Sequence, residues 1–177
     1  MLIGPAITPA NTRLQYAAGP AGAGSETQYL RPTSNVNTLW NTNAYTSIDE
    51  EVVAPDTSAL DGNMITANKN DDSEGQQWGA ALGDAGTYAS LKLWIYGYRG
   101  GTAPNPTGRL NINGSWQSAQ AFSLGVGAGS PGWSSVTFTG PFTLPLSSLT
   151  IEVATGDHPG ATDSIVLYAV YVEAVPE

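Results

Sequence analysis

Apolar and polar residues alternate with a period of two along most of this chain, and that pattern limits the fold more than any other feature. Leu91, Leu93 and Ile95 fall on one side of a run whose other side carries Lys92, Trp94 and Tyr96. Leu110 and Ile112 alternate with Asn111 and Asn113, and Phe122, Leu124 and Val126 with Ser123 and Gly125. Val136 and Phe138 alternate with Ser135 and Thr137, and Leu149, Ile151 and Val153 with Thr150 and Glu152. Successive side chains of a strand point to opposite faces, so each run reads as a half-buried antiparallel strand. The closing run from Ile165 to Val172 is apolar on both sides. It reads as a central strand covered on both faces, by the chain's own N-terminal segment or by a partner subunit. No segment combines a 3.6-residue apolar stripe with caps, so no helix is expected.

Turn chemistry separates these runs. Asp61-Gly62, Gly83-Asp84, Gly100-Gly101, Asn113-Gly114, Pro131-Gly132, Gly156-Asp157 and Pro159-Gly160 each mark a reversal. Roughly eight to ten strands at this spacing predict an all-β sandwich or barrel. The 177 residues, 41% of them hydrophobic, suffice for one domain with a packed core.

Residues 1–35 differ from the rest. Pro5, Pro9, Gly19-Pro20, Gly22, Gly24 and Pro32 interrupt both helix and ladder. Yet Leu2, Ile3, Ile7, Leu14, Tyr16, Tyr29 and Leu30 are scattered among them, more apolar residues than a disordered tail carries. The segment reads as an extended N-terminal arm lying on an apolar surface, either its own domain or a neighbouring chain, and 36–177 as the sandwich domain.

Charge excludes several partners. Six Lys and Arg stand against fifteen Asp and Glu, a net charge of -9, and nine of the acids lie between residues 48 and 90. Phosphate backbones and anionic membranes are bound by clustered cations, so neither nucleic acid nor a membrane surface is expected as partner. With no cysteine, neither a disulfide nor a thiolate site can form. The opening Met1-Leu2-Ile3-Gly4-Pro5 lacks a basic stretch followed by an apolar run. No signal peptide is therefore expected, nor a membrane span, and synthesis in a cytoplasm is.

Catalytic and metal patterns are weak. His158 stands alone between Asp157 and Pro159; Asp163 and Ser164 are near in sequence, but no Gly-x-Ser-x-Gly elbow accompanies them. One His and no Cys cannot make an ordinary zinc site. Asp49, Glu50 and Glu51 supply carboxylates but specify no cleft in which two acids face each other. Asn68, Asn70, Asp72 and Glu74 alternate as calcium ligands do, yet Ser73 and Gly79 occupy the positions where a calcium loop needs Gly and Glu. No enzyme and no cofactor are expected.

The aromatic residues carry the sharper signal. Trp94, Tyr96 and Tyr98 share one strand face. Three readings fit them: a platform on which sugar rings stack, a contact with the arm or another subunit, or a core facing the second sheet.

One resemblance bears on these readings. The stretches Asn37-Thr38-Leu39-Trp40, Tyr45-Thr46-Ser47-Ile48-Asp49-Glu50 and Ile65-Thr66-Ala67 resemble the opening of a jelly-roll domain found in structural proteins of tailed bacteriophages. So do Gly132-Trp133-Ser134-Ser135-Val136-Thr137-Phe138, Leu149 to Ala154, and the closing strand Ile165 to Glu173. The likeness spans roughly residues 36–175, is one of pattern, and is shared by sugar-binding jelly rolls. It implies an antiparallel jelly-roll β-sandwich acting as a virion component. The implied role is a capsid decoration (cement) protein, a homotrimer on the capsid surface that binds the major capsid protein through its arm. The alternative it leaves open is a non-catalytic carbohydrate-binding module using Trp94, Tyr96 and Tyr98.

Overall fold

The computed structural model describes residues 26–37, 39–40, 45–48, 50–68, 75–155 and 163–177. Their strands, in chain order, are β1 (Gln28–Leu30), β2 (Pro32–Asn37), β3 (Ile65–Asn68), β4 (Gln76–Ala80), β5 (Gly86–Gly100), β6 (Thr107–Ile112), β7 (Ser115–Trp116), β8 (Gln120–Ala121), β9 (Gly132–Leu144), β10 (Leu149–Ala154) and β11 (Ser164–Pro176). Among the described residues the only helical element is the 3-10 turn Tyr45–Ser47. Two antiparallel sheets result. The first runs β1-β11-β5-β9, with β3 beside β11; the second runs β2-β4-β10-β6-β7, with β8 beside β6.

The alternation explains how the sheets meet. Leu91, Leu93 and Ile95 of β5 pair with Phe138, Val136 and Ser134 of β9 and with Ala174, Val172 and Val170 of β11, so the inner face is one apolar layer. Trp78 of β4, Leu110 and Ile112 of β6, and Leu149, Ile151 and Val153 of β10 form the opposing layer. The layers touch at Gly108, where an added Cβ would overlap the Phe122 ring and press on Leu93. The chain is thus an all-β antiparallel sandwich.

Three departures from the sequence reading have local causes. The stretch assigned to an arm through residue 35 is partly built into the sandwich. β1 adds to β11 in the first sheet, and β2 adds to β4 in the second. Pro32 does not prevent this, because the first residue of an edge strand need not donate to the ladder. Next, the Phe122–Val126 run forms no ladder strand. Phe122 and Leu124 point into the core while Val126 is 54% exposed. Two backbone N–H groups there bond to side chains, Ser123 to Ser134 Oγ (2.8 Å) and Leu124 to Asn105 Oδ1 (3.1 Å), and the Phe122 N–H donates to the Pro106 carbonyl (2.9 Å). Finally, part of the cover on the outer face of β11 comes from neither arm nor partner. There the Ala54 N–H donates to the Tyr171 hydroxyl (2.9 Å), while at the strand's edge the Ile48 carbonyl accepts from the Val170 N–H (3.1 Å).

Candidate functional site

The outer face of the first sheet carries an aromatic cluster. Its origin is register: the residues opposite Leu91, Leu93 and Ile95 point outward on β5, and their ladder partners do the same on β9 and β11. Trp94 pairs with Tyr171, and Tyr96 with Trp133. A bulge between Leu167 and Ala169 inserts Tyr168, whose ring lies 6.0 Å from Tyr96 and 6.4 Å from Tyr98. Tyr29 on β1 meets Tyr171 edge-on at 5.8 Å. Trp94, Tyr96 and Tyr98 therefore lie outside the sandwich, which removes the reading that they face the second sheet.

The rings interlock. Trp133 lies 5.1 Å from Tyr96, 5.7 Å from Tyr171 and 6.2 Å from Trp94, while Trp94 stacks on Tyr171 at 6.3 Å with planes 21° apart. Each such pair adds about 0.5–1.5 kcal/mol beyond area burial, so the cluster is held in one arrangement before any partner arrives. Most interplanar angles are large, 87° for Trp94–Trp133 and 45° for Tyr96–Trp133. The rings are consequently tilted against one another and form no single flat stack.

Charges border the cluster. Lys92 Nζ sits 4.1 Å above the Trp94 ring, and the Trp94 Nε1–H donates to Glu173 Oε2 (2.8 Å). Arg31 lies 5.7 Å from the Tyr171 ring centre. Burial pushes the Tyr171 phenol up to about 12, against a smaller opposing effect of the Ala54 N–H bond. Burial, with Tyr98 and Tyr96 nearby, raises that of Tyr168 as well. Both phenols are thus neutral near pH 7 and serve as packing surface, not as bases. The Trp133 Nε1–H is buried with no acceptor among the described residues.

The other residues singled out in the sequence are dispersed. Leu2, Ile3, Ile7, Leu14, Tyr16, Asp49, Asn70, Asp72, Glu74 and His158 lie outside the described residues. Tyr29 is 43% exposed on the aromatic face, whereas Leu30 is buried in the chain's own core. Glu50 Oε1 accepts from the Asp61 N–H (3.4 Å), Glu51 is exposed, and Asn68 pairs with Ser164 at the end of β3. Asp163 is buried and accepts from the Thr102 N–H (2.6 Å) and hydroxyl (3.1 Å), a staple between the β5–β6 loop and β11. Among the described residues no three of His, Asp and Glu are grouped as metal ligands.

The outer face of the second sheet is polar, and the sequence reading missed it. Glu152 on β10 is flanked by Arg109 on β6 and Gln77 on β4. Its carboxylate accepts from Arg109 Nε (2.5 Å) and Nη2 (3.0 Å) and from Gln77 Nε2 (2.6 Å). The guanidinium also lies 4.3 Å over the Trp116 ring. The bond to Glu152 raises the Arg109 pKa further, so the guanidinium keeps its charge. The signal available in the sequence was the polar alternate positions Arg109, Asn111, Thr150 and Glu152, but which of them meet depends on strand order. No known family matches the chain, and no curated protein matches it in sequence.

Proposed function

We propose that this chain is a virion structural protein, a capsid decoration (cement) protein that binds the major capsid protein lattice of a phage head. In this reading it is a jelly-roll module, synthesised in the host cytoplasm, that acts as a homotrimer and makes or breaks no bond. The observation that carries the reading is the aromatic face formed by Tyr29, Trp94, Tyr96, Tyr98, Trp133 and Tyr168 over the buried Tyr171. Protein interfaces concentrate aromatic residues at their centres and leave charge at the rim, the arrangement found here. The interlocked rings also favour a protein partner over a sugar. Stacking on a pyranose uses a flat exposed ring face, and the mutual tilt of these rings offers no extended one. Three weak contacts made at once by a trimer combine into firm retention.

The test is cosedimentation with phage heads assembled without the protein. The wild-type chain is expected to bind saturably, and Tyr96→Ala with Trp133→Ala together to bind at least about tenfold more weakly, a loss of about 1.4 kcal/mol. Binding by the double variant equal to wild type overturns the reading. A second arm removes residues 2–25. The cut stops before β1 because Leu30 belongs to the core. The expected outcome is a folded body with weakened attachment.

A further inference from the structure

We infer that the outer face of the second sheet is a binding site for a neutral glycan, centred on Trp116, Asn111 and Thr150. The inference goes beyond the proposed attachment to a capsid and does not rest on it, because it uses the opposite side of the sandwich.

The site is built from five strands in register. Ser34 of β2, Gly79 of β4, Thr150 of β10 and Asn111 of β6 form one row, and Trp116 of β7 stands opposite Asn111 at its end. Gly79 keeps the row low: a Cβ there would sit 2.6 Å from Ser34 Oγ. Beside it runs the row Gln77, Glu152 and Arg109. The result is a shallow polar track with one aromatic wall.

Two features point to a ligand, and three select its class. Asn111 is half-buried and its Oδ1 meets no donor among the described residues, so the fold leaves this amide uncommitted at the edge of the track. Trp116 is 39% exposed although Arg109 packs on its ring, so an apolar surface is held in fixed position and left open. The exposed indole matches the apolar face of a sugar ring, and the surrounding amides and hydroxyl match its alcohols. The single cation, Arg109, is neutralised by Glu152, so charge complementarity favours an uncharged ligand over a phosphate or a sialylated chain. The track lies across paired strands whose backbone groups are engaged in the ladder, so an added peptide strand has no edge to join there.

The experiment titrates the full chain with neutral oligomers of glucose, galactose, mannose and N-acetylglucosamine, and with sialyllactose as a charged arm. Tryptophan fluorescence and calorimetry supply the readouts. Saturable binding of one neutral oligomer at millimolar concentration or below is expected. Trp116→Ala should weaken it at least about tenfold, Asn111→Ala should weaken it several-fold, and Trp94→Ala should leave it unchanged. Should Trp116→Ala fail to fold, Asn111→Ala decides alone. No binding across the panel, binding of sialyllactose only, or binding indifferent to the Asn111 and Trp116 changes each overturns the inference.

Discussion

The Tyr171 hydroxyl accepts a 2.9 Å hydrogen bond from the Ala54 N–H while its ring stacks beneath Trp94. One side chain thus joins the segment after Val53 to the aromatic face. Its burial pushes the phenol up to about 12 from an ordinary value of 10.0. In the unfolded chain the phenol loses its proton near the ordinary value, while the folded protein retains it. The folded state then binds more protons, and stability falls as pH rises. The contribution is fully present below pH 10 and is lost progressively through about pH 12. Denaturant melts of the wild type across this window are expected to show that slope, and Tyr171→Phe to flatten it. Equal slopes for the two proteins would mean that Tyr171 ionises as freely as an exposed tyrosine.

Gly97 marks the place where β5 passes the bulge in β11. A Cβ there would overlap the Val166 carbonyl oxygen and crowd Leu167. Backbone on the far side cannot swing away as a flexible side chain can. Gly97→Ala is therefore expected to cost at least about 2 kcal/mol, in the range for overpacking a core. Gly132→Ala, where nothing lies within 4 Å of the new atom, is the matched control and is expected to change stability by less than about 0.5 kcal/mol. Urea unfolding of both variants checks the contrast.

Gly75 and Glu152 are coupled by contact. A Cβ at residue 75 would overlap the Glu152 side chain, displacing the carboxylate that holds Arg109 and Gln77. Gly75→Ala should destabilise the wild type by about 1–3 kcal/mol, the cost of disturbing hydrogen bonds to a buried charge. In a Glu152→Ala background the same substitution meets no side chain and should cost much less. A double-mutant cycle by chemical denaturation is expected to give a coupling of about 1 kcal/mol or more. Additive costs would place the two residues out of contact.

Much of the sandwich was legible because alternation is a local property. Leu91, Leu93 and Ile95 declare their own inner face, and the unbroken apolar run of β11 declares a strand covered on both sides. Asn113-Gly114 likewise announces the β6–β7 turn, since both residues adopt positive φ there (53° and 86°). Ladder partners are not local. Three of the seven aromatic residues were evident on β5, but Trp133 and Tyr171 join them only through the β5–β9 and β5–β11 registers, and Tyr168 only through a bulge. The arm boundary was misplaced for a related reason. Gly and Pro punctuation around Pro32 describes a chain that makes no regular ladder of its own, and it is silent on addition to the edges of strands that come later in the sequence. The polar track was hidden because Gln77, Glu152 and Arg109 are far apart in the chain.

Gln76 was not singled out by its type, yet it is a fully buried polar side chain placed to hold the β2 end of the second sheet. Its Oε1 accepts from the Leu39 N–H (3.0 Å) and the Trp40 N–H (3.2 Å), and its Nε2 donates to the Asn37 carbonyl. The amide thereby satisfies three backbone groups of the segment that leaves β2, next to the buried Trp40–Trp78 pair. Leucine is close in size but offers no bonds, so Gln76→Leu would strand those groups away from water. The penalty is about 1–3 kcal/mol for each group left unmet, less whatever water regains access. The expected outcome is a loss of at least about 2 kcal/mol, with amide exchange speeding up at Leu39 and Trp40 before other sites. Gln76→Glu keeps the acceptor and loses the donor, and it should fall between the two. A Gln76→Leu protein as stable as wild type, with unchanged protection at those two amides, would show that the loop is held by its apolar contacts alone.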